Sequence, residues 1–576
     1  MQIESDPKND LWAFREGRKS VSAQTLFRQL AGAVSDLCAH PTDNSLAISA
    51  LMRAGEFESA LADANCRAQS PAQQLTDILA SAFLSETAAL GGVGNLVNRI
   101  SRLELPDLVS VSPPEGFAYY ALHPQDYARI IERAATENDS VLVVGIRTIG
   151  TTLSAIVRAA LRQRGTTSER MTVRPTGHPY DRVVDFSPDE VQNIREWTAR
   201  TADVLVVDEG PGRSGSSFLS VAEALIRAGV PESQITLLGS RQADESQLCA
   251  QNARVRWNRF RFIWPVPSVY TRFSDHIYLA GGRWREVLFQ DQSLWPACWP
   301  QMERLKFLSP DRRSLFKFEG FGHLGAEVLS RAEVLAEKGF GCTAESAGDG
   351  MMCYPIIRGH SLRADDVSTE LLEHLARYCA FRAAELRMVN PPSSQLPAML
   401  GFNALHEFGM EIGGEMDELS TGAPVLTDGR MQPHEWIRGT DGQIVKLDPY
   451  THGDDHFFPG PTDIAWDLAG AIVEWNLDDH AAGFFLSEFR RISGLDRSKV
   501  VGVYSLAYTV FRVAYWKMAL STVASSPEEQ RVFGAYEYYR ALAERQLSNM
   551  KASSSRLHPL TPCKSAQLPA QPRTAA

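Results

Sequence analysis

The chain reads as a multidomain protein: an α/β block built on a parallel sheet, then an α+β block, with a helical N-terminal extension in front. Three observations predict this. The length of 576 residues is enough for roughly three to five domains. Between residues 141 and 238 a strand–loop–helix phrase occurs twice and runs into a third strand, which implies a parallel sheet with helices on its faces. From about residue 305 the pattern changes to short strands followed by long helical stretches over 481–492 and 500–547.

Residues 1–115 carry apolar positions at helical spacing, as over 47–54 and 59–64, but gather no chemistry. The α/β block is expected over 116–265. A helical stretch at 126–136 leads to the apolar run Val141-Leu142-Val143-Val144, whose length and β-branching suit a buried strand. An amphipathic helix over 151–164 follows, stopped by Gly165. Val204-Leu205-Val206-Val207 repeats the strand, residues 216–228 the helix, and Ile235-Thr236-Leu237-Leu238 adds a strand. Residues 266–304 are rich in tryptophan and read as an aromatic connector that packs domains together. The second block is expected over 305–550. Residues 551–576 are rich in Ser, Pro and Ala without periodicity and read as a disordered tail.

Composition excludes several classes. With 58 basic and 69 acidic side chains the net charge is −11, which disfavours a general nucleic-acid or anionic-membrane binder. None of the eight cysteines forms a C-x-x-C pair, so zinc and thioredoxin-like motifs have no support. Their scatter suits free thiols in a reducing compartment. No apolar run approaches the ~18 residues of a membrane span. The expectation is a cytoplasmic enzyme acting on small molecules, with its oligomeric state not legible.

The sharpest motif is Asp208-Glu209-Gly210-Pro211-Gly212-Arg213-Ser214-Gly215-Ser216-Ser217. A strand delivers two adjacent acids to the sheet's carboxyl edge. A Gly/Ser-rich loop then turns into a helix N-terminus, where free amides bind phosphate. Paired acids that accept from vicinal hydroxyls, beside a phosphate loop, describe a phosphorylated ribose. Upstream, Gly145-Ile146-Arg147-Thr148-Ile149-Gly150-Thr151-Thr152 also lies between strand and helix. Between the two loops Arg174, His178 and Arg182 sit in a polar stretch broken by Pro and Gly, which reads as a lid.

These residues resemble the type I phosphoribosyltransferases over about 116–265. The resemblance implies that Asp208 and Glu209 hold the ribose and that Gly212, Arg213, Ser214, Gly215, Ser216 and Ser217 hold the 5′-phosphate. It implies that Arg147, Thr148, Gly150, Thr151 and Thr152 cradle the pyrophosphate. Arg174 and His178 would then act in catalysis by neutralising the leaving charge, with Mg²⁺ required. The substrate would be phosphoribosyl diphosphate. Two departures stand out: the phosphate loop is one residue longer than usual, and Arg213 replaces a small hydroxyl residue.

The second block resembles the aminoglycoside phosphotransferase and choline-kinase-like superfamily. Leu315-Phe316-Lys317-Phe318 matches the strand with the ATP-phosphate lysine, and Glu327 or Glu333 would be its partner. Ile444-Val445-Lys446-Leu447-Asp448 matches the strand that ends in the metal aspartate, and Asp467 matches the acid that braces the catalytic loop. That loop departs from the family. With Pro433 aligned, Arg430 falls on the catalytic aspartate and Glu435 on the metal asparagine, and Asp428 is the shifted acid left for catalysis. An arginine cannot be a general base at neutral pH. ATP binding is implied; kinase activity and a nucleotide-binding pseudokinase are both open.

Two further motifs carry a weaker signal. Gly320-Phe321-Gly322-His323-Leu324-Gly325 precedes a helix without the context of a dinucleotide site, and could touch phosphates in a rearranged lobe. His452-Gly453-Asp454-Asp455-His456 reads as a solvated loop, with a di-metal site the lesser alternative. The function expected is transfer of 5-phosphoribosyl to an unidentified acceptor, with a kinase-like domain acting on acceptor or product. The alternatives are a nucleotide sensor with degenerate domains and a hydrolase or phosphorylase that releases ribose phosphates.

Overall fold

The computed structural model describes residues 11–553 apart from 16, 85–86, 134–137, 179, 201, 213, 246–247, 389–393 and 421. The expected tail beyond 553 therefore lies outside the described residues. At the N-terminal end, β1 (Lys19–Val21) pairs antiparallel with β2 (Val109–Val111). This ribbon closes off α1 (Ala23–Ala39), α2 (Asn44–Asp63), α3 (Gln69–Phe83) and α4 (Val93–Ile100). Ser22 caps α1 by accepting from the Thr25 amide, and Asp43 caps α2 by accepting from Ser45 and Leu46. Leu26, Phe27, Leu30, Val34 and Leu37 form the buried stripe of α1. α2 is buried on nearly every side because it lies between α1 and the next block.

That block runs α5 (Glu115–Ala118), α6 (Pro124–Arg133), β3 (Ser140–Ile146), α7 (Ile149–Gln163), β4 (Thr167–Val173), β5 (Thr176–His178), β6 (Asp181–Val183), α8 (Pro188–Thr198), β7 (Asp203–Val207), α9 (Ser216–Ala228), β8 (Ile235–Leu238), α10 (Ala253–Trp257) and β9 (Arg261–Ile263). Its main sheet is entirely parallel in the order β4-β3-β7-β8-β9. Alternate residues of β3 serve opposite faces, as strand geometry requires. Val141 and Val143 pack with α1, α2 and α7, while Leu142 and Val144 pack with Trp197, Phe218 and Leu225. The N-terminal helices are thus one wall of the sheet's core rather than a separate extension. A buried ion network fixes them. Arg170 of β4 donates to both Glu58 oxygens at 2.8 and 2.9 Å and to Asp77 of α3 at 2.7 Å, and the Arg170 and Glu58 side chains are both fully buried.

The third part contains α11 (Ser268–Arg272), β10 (Ile277–Tyr278), α12 (Arg285–Leu288), β11 (Lys306–Leu308), β12 (Ser314–Phe318), α13 (His323–Glu337), β13 (Glu345–Gly348) and β14 (Met351–Pro355). Its antiparallel sheet has the order β10-β11-β12-β14-β13. The aromatic stretch from 266 therefore does more than connect, because it supplies an edge strand. Then come β15 (Gly359–Ser361), α14 (Thr369–Glu385), α15 (Leu396–Phe408), β16 (Trp436–Gly439), β17 (Ile444–Lys446), α16 (Ala465–Glu474), α17 (Asp479–Ser493), α18 (Val501–Val523) and α19 (Glu529–Ser553). The helix expected over 500–547 is two helices. Ser525 has φ +61, and Pro527 cannot donate within a helix. Residues 11–15 lie against this lobe. The Trp12 amide donates to Asn403 Oδ1 at 2.6 Å, Phe14 pairs with Phe457, and Arg15 Nε donates to the Asp455 carbonyl at 2.8 Å. Among the described residues, no helix is long and apolar enough to cross a membrane.

Candidate functional site

The strand order of the parallel sheet reverses between β3 and β7. The loops leaving their carboxyl ends diverge there, which opens a crevice. Both expected loops meet at this point. Close approach is needed: a Cβ on Gly150 would sit 2.5 Å from the Val207 carbonyl oxygen, and one on Gly145 would sit 2.4 Å from the Gly150 carbonyl oxygen. Only glycine lets the first turn of α7 reach the end of β7.

Asp208 and Glu209 follow β7 directly and are half-buried. The Asp208 amide donates to Leu238 at 3.1 Å, Tyr127 Oη donates to the Asp208 carbonyl at 2.8 Å, and Glu209 Oε2 accepts from the Gly116 amide at 2.8 Å. Burial pushes the Asp208 carboxyl up to about 7, against the pull of Arg182 and Arg174. Burial and the neighbouring Asp208 charge push Glu209 up to about 8. Two acids so placed take up hydroxyl donors or a cation with a gain in ionisation.

The loop expected to hold phosphate turns on Gly215, with φ +67, into α9, whose first residue is Ser216. Ser214 Oγ lies 2.9 Å from Ser216 Oγ and accepts from the Ser216 amide at 3.2 Å. Gly212, Ser214 and Ser217 are half-buried beside it. Arg213, expected to contribute a phosphate contact, lies outside the described residues.

The upstream loop differs from expectation in its side chains. Thr148 precedes α7, and its carbonyl accepts from the Thr151 amide at 3.1 Å. The Thr151 and Thr152 side chains are buried, and Thr152 Oγ1 fills the space that Gly55 of α2 leaves open. Thr152 therefore faces the helical wall, and the Thr151 hydroxyl is buried without a hydrogen-bond partner among the described residues. Arg147 turns to Thr172, donating to its Oγ1 at 3.1 Å and its carbonyl at 2.8 Å, and to Asp63 at 3.0 Å. Arg174 also grips Asp63, at 2.6 and 3.1 Å, and donates to the Arg147 carbonyl at 2.9 Å. Asp63 was missed by sequence reasoning because it lies 84 residues before Arg147 on a helix without local chemistry. The expected lid is a β-hairpin, β5–β6. His178 is exposed on it, with Nδ1 accepting from the Tyr180 amide at 3.3 Å.

In the lobe, Lys317 of β12 is buried and pairs with Glu319 at 3.0 Å and with Asp448. Glu327 and Glu333, expected as its partners, are exposed on α13. Glu319 takes that place from two residues away on the same strand end, and also accepts from Tyr354 Oη at 3.0 Å. Asp448 follows β17, and its Oδ2 lies 3.1 Å from His452 Nε2. The other ring nitrogen of His452 lies 3.5 Å from Asp428. Asp428 is buried, accepts from Tyr378 Oη, and lies 3.6 Å from Lys446. Asp467 accepts from the Asp428 and Gly429 amides at 2.8 and 2.9 Å, which braces the loop.

Burial raises each of these carboxyls, but cations outweigh it at three. Lys446, His452 and Arg382 hold Asp428 below the usual range, Lys317 and His452 hold Asp448 well below it, and Lys446 and His452 lower Glu435. Asp467 alone ends high, at about 6, through burial and the nearby Asp428 charge. Asp448 and Glu435 are the oxygen donors Mg²⁺ takes, one or two carboxylates with phosphates and water completing the shell. Each now faces a cation: Glu435 lies 3.4 Å from Lys446. Among the described residues, no three metal-capable side chains form a cluster.

The glycine motif at 320–325 is a packing device. A Cβ on Gly322 would sit 2.9 Å from Ser49 Cα of α2, and Ser49 Oγ lies 3.3 Å from His323 Nδ1. Residues 116–118 join the two sites. Gly116 donates to Glu209, the Phe117 carbonyl accepts from the Phe321 amide at 3.1 Å, and the Ala118 carbonyl accepts from Arg304 at 3.3 Å. Arg304 pairs in turn with Glu319 at 3.2 Å.

No family model matches the chain, and no curated protein matches it closely. Among solved structures, choline kinase LicA from Streptococcus pneumoniae is 12% identical, with a TM-score of 0.31 over 43% of this chain and 89% of its own. The choline/ethanolamine kinase family protein from Mesorhizobium loti is 16% identical, with a TM-score of 0.30 over 43% and 90%. Macrolide 2′-phosphotransferase MphH from Brachybacterium faecium is 13% identical, with a TM-score of 0.29 over 40% and 88%. Each likeness covers less than half of this chain.

Proposed function

We propose that the chain is a two-site enzyme. The sheet-edge site would transfer a 5-phosphoribosyl group from its diphosphate to a small-molecule acceptor, and the C-terminal lobe would bind ATP with Mg²⁺. One observation carries the first part: Asp208, Glu209 and the Ser214–Ser217 turn leave β7 at the reversal of strand order, opposite the loop that leaves β3. The two acids accept from the ribose hydroxyls, and the first amides of α9 meet the 5′-phosphate. The C1–O bond to the diphosphate breaks as the acceptor's lone pair forms the new bond. Mg²⁺ supplies charge neutralisation for the diphosphate. Incubation with phosphoribosyl diphosphate, Mg²⁺ and a metabolite extract should release pyrophosphate. No release, or release unchanged in Asp208→Ala with Glu209→Ala, sinks this reading.

For the lobe, Lys317, Asp448 and the braced loop support nucleotide binding, and Asp448 and Glu435 would hold the metal. A second reading, a nucleotide sensor without turnover, is favoured by Arg430 in the position of the general base. ATP bound but not consumed supports the sensor. ATP consumption lost in Lys317→Ala and Asp448→Ala supports a phosphotransferase.

A further inference from the structure

The two arginines at the upstream loop already hold an anion that belongs to the chain. Asp63 is the last residue of α2. Gly55, Ser59 and Asp63 recur every four residues and so share one face of that helix. Its Ser59–Asp63 end reaches the arginines of the candidate site. Gly55 meets Thr152, Ser59 Oγ accepts from Arg174 at 3.3 Å, and Asp63 accepts from Arg174 and Arg147 together. The Arg174 contact is a fork, with Nη2 2.6 Å from Oδ2 and Nε 3.1 Å from both oxygens. A phosphate oxyanion would be gripped the same way.

Asp63 is not the sole anchor of its helix. The Glu58–Arg170–Asp77 network also holds it one turn back. A carboxylate at the C-terminal end of a helix also faces the negative end of the macrodipole. Its seat therefore depends on the two guanidiniums, which pull the Asp63 carboxyl below its ordinary range although burial alone would raise it. The side chain keeps about one-fifth of its surface exposed, 21%, so it can leave without opening the core.

We infer that Asp63 is an internal competitor at the diphosphate subsite: its carboxylate occupies the anion position between Arg147 and Arg174, and a diphosphate binds there only by displacing it. This rests on the sheet-edge reading above. The cost of displacement is the same for free pyrophosphate and for the donor, but the donor's ribose phosphate adds a second anchor and a high effective concentration at the subsite. Asp63 then weakens the hold on the released leaving group, which has no second anchor.

Titration calorimetry with inorganic pyrophosphate plus Mg²⁺, and separately with ribose 5-phosphate, tests this on the full chain. Asp63→Asn should bind pyrophosphate on the order of tenfold more tightly than wild type, with ribose 5-phosphate affinity unchanged. Adding Arg174→Ala should remove the gain. Equal pyrophosphate affinity in wild type and Asp63→Asn overturns the inference and leaves the site reading intact. Failure of both folded proteins to bind ribose 5-phosphate overturns the site reading instead. Wild type alone gives a second measurement. Bound pyrophosphate should speed amide exchange over residues 59–66, and unchanged protection there overturns the inference.

Discussion

The two candidate sites use the same side chains to opposite effect. At the sheet edge, Asp208 and Glu209 are adjacent, half-buried, and only weakly opposed by Arg182, Arg174 and Arg241, so both carboxyls rise toward neutrality. In the lobe, Asp428, Asp448 and Glu435 sit among Lys317, Lys446 and His452, and all three fall. Burial pushes up in both places, and the count of nearby cations decides the sign. The sheet edge is thus an acidic pair waiting for donors. The lobe has paired its carboxylates with its own cations, and a metal bound there would have to displace them.

The sharpest way to break this contrast is Lys317→Ala. It leaves buried Glu319 with Arg304 and Tyr354 and leaves Asp448 with His452, and should cost about 3 kcal/mol of stability in chemical denaturation. A loss under 1 kcal/mol would mean that the lobe's ion pairs do not matter to the fold. Next, Asp208→Ala with Glu209→Ala should weaken ribose 5-phosphate binding on the order of 100-fold, or about 2.7 kcal/mol, while ATP binding stays the same.

A pH series sharpens the comparison further. The carboxyls of Asp208 and Glu209 titrate near 7 and 8 in the folded chain and near 4 when unfolded, so folding takes up protons between those limits. Their contribution to stability is full below about pH 4 and is lost as pH rises through 7 and 8. Asp208→Asn with Glu209→Gln should therefore match wild type in acid and exceed it above pH 8. The excess should be about 2 kcal/mol, reduced by solvent screening in the open crevice. Smallest of all, Ser214→Ala removes a hydroxyl that bonds Ser216, and should cost about 1 kcal/mol of 5′-phosphate affinity with no change in ATP binding.

Much of the sheet was legible because buried parallel strands are continuous apolar runs. Residues 141–144 and 204–207 lie within β3 and β7, and α9 and β8 start and stop where the pattern says. β4 was not legible, since its Thr-Ser-Glu-Arg start is polar and Arg170 is buried only because Glu58 and Asp77 come from distant helices. The acids of the sheet-edge motif were readable from local order. Their surroundings were not: Gly116, Tyr127 and Asp63 reach the crevice from other elements, with no sequence period to announce them. The same holds in the lobe. Lys317, Asp448 and Asp467 stood out, whereas Glu319, Tyr378 and His452 gain meaning only through tertiary contact.

The docking of residues 11–15 on the lobe has a consequence for synthesis. Arg15 and its partner Asp455 are 440 residues apart, and Trp12 and Asn403 are 391 apart. At about 5–20 residues per second, a ribosome would need roughly 20–90 s to deliver the partner after making this segment. Meanwhile Leu11, Trp12 and Phe14 have no native surface to cover them. The lobe must form before this strap can close, so residues 11–15 find their place long after they are made.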